Sequence, residues 1–97
     1  MDLLTFVASI DGTAPPGGVS HALQALWYEK RGDWQAAHSH AQQQDDRDGA
    51  WVHAYLHRKE GDLSNAGYWY RRAGQPTAQG SLDEEWEAIA KALLNES

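Results

Sequence analysis

His53 and His57 stand four residues apart, with Glu60 three further on, so a helix through this segment presents two imidazoles and a carboxylate on one face. Residue types and spacing both suit a divalent metal such as zinc. Two features count against that use. No acid stands beside the first histidine as it does on a zinc-protease helix, and the chain has no cysteine to complete a thiolate site. His38 and His40, on a neighbouring segment, lie two apart and so face differently. The preferred reading is structural: imidazoles packed inside a central helix, each needing a tyrosine hydroxyl, an indole N–H or a carbonyl as partner. No metal and no cofactor are expected, and acid is expected to destabilise the fold by forcing protons onto buried histidines.

A second constellation is basic. Arg58, Lys59, Arg71 and Arg72 are half of the eight lysines and arginines, and Tyr68 and Trp69 flank them. Such a patch can clamp a carboxylate or stack on a planar group. Alternatively it is a solvated face, with Arg58 and Arg72 pairing to Glu60, Asp62 or an acidic C-terminal helix. An acidic peptide or C-terminal carboxylate is the expected ligand chemistry. Nucleic acid is not expected, because four cations in a chain of net charge −6 attract phosphate weakly. Gly17-Gly18 follows prolines and lacks the lysine of a P-loop, no serine sits in a Gly-x-Ser-x-Gly turn, and Asp45 to Gly49 lacks the spacing and closing glutamate of a calcium loop. No enzyme is read here.

The elements that must position these residues are helices. Gly32-Asp33-Trp34-Gln35-Ala36-Ala37 recurs loosely as Gly61-Asp62-Leu63-Ser64-Asn65-Ala66, twenty-nine residues later. A glycine that stops one helix and an aspartate that caps the next make a tight helix–helix turn. The pattern predicts helices from Ser20 to Arg31, from Trp34 to about Ala41, from about Gly49 to Glu60 and from Leu63 to Ala73, with 42–48 as a polar connection. Ser81-Leu82-Asp83-Glu84 reads as a capping box opening a fifth helix, whose buried stripe is Leu82, Trp86, Ile89, Ala90, Leu93 and Leu94. Residues 1–18 read as an arm, a short helix or extended, that docks loosely, followed by a Pro/Gly linker; residues 19–97 form one domain. With 97 residues the core is thin, and Trp27, Trp34, Trp51, Trp69 and Trp86 are expected to fill it. No signal peptide and no membrane span is read, and a cysteine-free acidic chain fits a cytoplasmic protein.

These residues resemble a tetratricopeptide (TPR) repeat protein over 20–76. The match rests on the Gly-Asp turns, on Ala37 and Ala66 five residues after the glycines, on Ala25 and Tyr28 before the first, on Ala54 before the second, and on Tyr70 and Ala73 after it. His57 stands where the second unit wants an aromatic, and the twenty-nine-residue period is shorter than the family's usual ~34, implying a clipped loop. The stretch 49–74 is also similar to a set of small uncharacterised bacterial proteins. The resemblance implies an all-α fold of two antiparallel helical hairpins in a right-handed stack, with the C-terminal helix as cap. It also implies protein or peptide binding without catalysis. By match to the second unit it places the groove at Trp51, Tyr55, Arg58 and Lys59; Arg72 joins them on charge alone. Two hairpins are fewer than the roughly three repeats usually needed for stability, so a homodimer is the alternative, ahead of a metal or small-molecule site at the histidines.

Overall fold

The computed structural model describes residues 1–95, which form six helices and no strand: α1 Leu3–Ser9, α2 His21–Lys30, α3 Trp34–Gln43, α4 Arg47–Glu60, α5 Leu63–Ala73 and α6 Leu82–Asn95. Residues 96 and 97, the end of the expected domain, lie outside the described residues. The Gly-Asp turns behave as their chemistry dictates. Gly32 and Gly61 take left-handed φ values of 83° and 86°, where a side chain would be strained. Asp33 then accepts from the Ala36 N–H at 3.1 Å and Asp62 from the Asn65 N–H at 3.4 Å, capping α3 and α5. The result is two packed pairs, α2 with α3 and α4 with α5, joined by contact of α3 with α4.

α4 begins two residues earlier than its pattern suggests, because Asp46 is the cap, accepting from Gly49 N–H at 2.9 Å. Sequence offers three aspartates near this point and no means to choose among them. Gly49 is fixed by contact: a Cβ there would fall 1.8 Å from the Gln44 carbonyl oxygen. The capping box of α6 forms as read, with Glu84 N–H on Ser81 Oγ at 3.0 Å and Ser81 N–H on Glu84 Oε1 at 3.1 Å.

α6 decides the architecture. It lies across α2 and α4 and touches α1, laying Trp86, Ile89, Ala90, Leu93 and Leu94 into one core with Leu23, Leu26, Trp27, Val52, Tyr55 and Leu56. The buried Trp86 indole donates to the Leu26 carbonyl at 3.1 Å, so its one polar atom is satisfied. A smaller cluster of Ala54, Ala66 and Tyr70 holds α5 on α4. The N-terminal arm is not loose. α1 buries Phe6 completely against Trp86, Trp27 Nε1 donates to Ser9 Oγ at 3.1 Å, and Arg31 donates to the carbonyls of Ile10 and Gly12 at 2.6 Å each. Phe6 gives no periodic signal of its own, and its seat exists once α6 has crossed α2.

Candidate functional site

α4 carries chemistry on two sides. Trp51, Tyr55 and Arg58 project along one line of the helix with Lys59 beside it, and His53, His57 and Glu60 along another. α6 covers the first side. Tyr55, 1 % exposed, donates its hydroxyl to Glu29 Oε2 at 3.3 Å, and the Lys59 ammonium sits on the other oxygen of the same carboxylate. Arg58 donates to Glu85 Oε1 at 2.9 Å and to the Gly80 carbonyl, while the Tyr70 hydroxyl donates to Glu85 Oε2. Burial first, then the neighbouring carboxylates, holds both phenols far above their ordinary pKa, so they remain donors. Each buried glutamate thus has one phenol and one cation, which is what makes a buried carboxylate tolerable.

Of the five residues the sequence grouped as one surface, the structure brings Tyr55, Arg58 and Lys59 together beneath or beside α6, with Trp51 half-buried between the two apolar clusters. Arg72 stands apart, on α5. Its guanidinium lies 5.1 Å from the Trp69 ring centroid and 5.8 Å from that of Tyr68, donates to the Tyr68 hydroxyl at 3.2 Å, and is 3.6 Å from Asp45 Oδ1. The pairing of Arg58 with the acidic helix was legible from charge. Glu29 was missed, because near the end of an amphipathic helix it reads as an ordinary surface acid.

The second side of α4 lies between α3 and α5 and is partly covered by them: His53 is buried, 7 % exposed, and the His57 side chain is 17 % exposed. His53 stacks on Trp69 at 4.0 Å between centroids and on His57 at 5.0 Å, and His38 from α3 meets both imidazoles edge-on at 6.0 Å. Trp34 continues the row, 4.7 Å from His38. Trp34, Trp51 and Trp69 are partly buried and pack against the edges of the two apolar clusters, whereas Trp27 and Trp86 are buried within the core, which corrects the expectation that all five fill it. Burial, then His57 and His38, pushes the His53 pKa down to about 4, so this imidazole is neutral at pH 7. His57 Nδ1 is buried without a hydrogen-bond partner, with Glu60 Oε1 at 3.3 Å and Asp62 Oδ2 at 3.9 Å; the same Glu60 oxygen is 3.7 Å from His38 Nε2. The hydrogen-bond partner expected for His57 is thus missing at Nδ1, where ring stacking and the nearby Glu60 carboxylate stand in its place. His40 turns away, as the two-residue spacing predicts, and its Nδ1 meets His21 Nδ1 at 3.0 Å. Among the described residues no set of three or more His, Asp or Glu side chains is arranged to hold a metal ion.

Two hollows run along this side and meet at Gln42. One, of about 100 Å³, lies between α3 and α5 and includes His53, Trp69, Arg72, Asp45 and Asp46. The other, shallow and of about 600 Å³, is bordered by Trp34, His38, Ser39 and Glu60. The first holds His53 and Trp69, the second, nearly flat, holds His38 and Trp34, and the two are called the groove below. Among the described residues no helix is long and apolar enough to cross a membrane. No family model matches the chain, and neither the curated proteins nor the solved structures contain a match to it.

Proposed function

We propose that this protein is a non-catalytic binding module whose two helix pairs stack in the TPR manner and whose open groove, between α3 and α5 across α4, holds a segment of a partner protein. One observation carries the reading: α6 covers the α2/α4 side, while Trp34, Trp69, Tyr68 and Arg72 remain at least partly accessible on the other. Partly exposed aromatic rings beside a concave surface are the usual anchors of protein recognition. The side that the TPR resemblance would assign to a ligand is filled by the chain's own last helix. Trp51, Tyr55, Arg58 and Lys59 therefore serve that internal contact, and Arg72 is the one of the five that belongs to the groove. Arg58 and Lys59, neutralised by Glu85 and Glu29, no longer argue for an acidic ligand.

The test is a pull-down with the parent protein and with Trp34→Ala plus Trp69→Ala, circular dichroism confirming that the variant is folded. A partner held by the parent and lost by the variant supports the groove; a folded variant that keeps every partner overturns it. Self-association, the second reading, is favoured by the exposed Met1, Leu4 and Val7 around α1, of which Leu4 is 82 % exposed. Light scattering at micromolar concentration decides it, a monomer ruling it out.

A further inference from the structure

We infer that the groove's occupant is a cationic segment, an arginine- or lysine-bearing stretch of a partner protein, received at the shallow hollow that Trp34 and Glu60 both border. The inference rests on the groove being the binding surface. It is carried by a structural parallel between the two ends of the groove.

At one end an indole, Trp69, lies beside a carboxylate, Asp45, and this pair already holds a guanidinium, that of Arg72. That contact shows what an aromatic face and an adjacent acid accept in this setting: cation–π attraction from the ring and an ion pair from the carboxylate. The other end offers the same two groups, an indole and a carboxylate, without an arginine or lysine. Trp34 and Glu60 border the same shallow hollow, with His38 beside both, 4.7 Å from the Trp34 ring and 3.7 Å from Glu60 Oε1, and His57 Nδ1 3.3 Å from that oxygen. Charge along the groove points the same way. Its lining carries Asp45, Asp46 and Glu60 against Arg72 alone, with Asp62 close behind His57. The whole chain has a net charge of −6, which steers a basic segment toward it.

The ionisable groups that face the site are His38 from α3, His53, His57 and Glu60 from α4, Asp62 from the α4–α5 turn, Arg72 from α5, and Asp45 and Asp46 from the loop before α4.

The experiment is calorimetric titration of the full chain with an acetylated, amidated pentapeptide carrying two arginines, and with its two-glutamate counterpart. The arginine peptide is expected to bind at pH 7.5, and to bind about tenfold more weakly to Glu60→Gln and to Trp34→Ala. Arg72→Ala frees the Trp69–Asp45 place and should leave that affinity unchanged or raise it. Equal binding of the arginine peptide by parent and Glu60→Gln would overturn the inference, because attraction by overall charge would then suffice. Should the glutamate peptide bind instead, in a manner abolished by Trp34→Ala, the groove stands and its cationic occupant falls. If neither peptide responds to Trp34→Ala, groove and occupant fall together.

Discussion

α4 sends aromatic and ionisable side chains toward α6 and toward the groove, and the two sides use similar chemistry for different ends. Toward α6, Tyr55, Arg58 and Lys59 meet buried carboxylates whose side chains are 1 % and 5 % exposed, and every strong polar group there has a partner. Toward the groove, His53 and His57 are stacked between tryptophan and histidine rings, one imidazole nitrogen lacks a partner, and the neighbouring acids face water. A residue's type thus did not decide whether it holds the fold or remains available; the crossing of α6 did. Toward α6 the named phenols, cations and carboxylates are paired, and toward the groove one buried imidazole nitrogen lacks a hydrogen bond.

The sharpest way to break this contrast is to substitute the two kinds of tryptophan. Trp86→Ala removes a buried indole and its bond to the Leu26 carbonyl, and is expected to cost about 3–5 kcal/mol, most of the stability of a domain this size. Urea denaturation measures it, and Trp69→Ala in the same experiment should cost clearly less. Next in size is Arg58→Ala, which leaves the Glu85 carboxylate buried with Tyr70 alone; roughly 3 kcal/mol is expected, read from the same denaturation midpoint.

Acid should act on the open side. The unfolded chain protonates His53 at the ordinary value of 6.5, whereas the folded chain resists until about 4, so its contribution is complete above pH 6.5 and is lost as pH falls from 6.5 toward 4. Between pH 7.5 and 5.5 the loss is about 1 kcal/mol from this group. Denaturation midpoints at the two pH values check it, and His53→Phe, which keeps a stacking ring, should flatten the dependence. The smallest effect belongs to Arg72→Ala. Its guanidinium rests on exposed rings and an exposed aspartate, so the melting temperature should not move measurably.

Much of this fold was legible because it is written in local chemistry. Glycine stops, aspartate caps and the Ser81 capping box act within three or four residues, and they set the ends of α2, α3, α5 and α6. The α6 stripe was legible from its period. What it packs against was not, since amphipathicity tells a helix which face to bury without naming the surface that receives it. That one unknown accounts for most of the differences: Phe6 gained a seat, Glu29 and Glu85 gained buried partners, and Tyr55 and Arg58 moved from a presumed ligand face to an internal contact. The histidines were placed correctly on a central helix, but their stacking on Trp69 depends on how α5 lies on α4, which no spacing within α4 reveals.

The division of α4 into a sealed side and an open side is tested most directly by hydroxyl-radical footprinting of the folded protein, with oxidation read residue by residue by mass spectrometry. The account predicts rapid modification of Tyr68, intermediate modification of Trp34 and Trp69, and protection of Trp27, Trp86, Tyr55 and Tyr70 until the protein is unfolded. Oxidation of Trp86 and Tyr55 as fast as that of Trp69 would show that α6 does not cover the α2/α4 side, and would contradict the account.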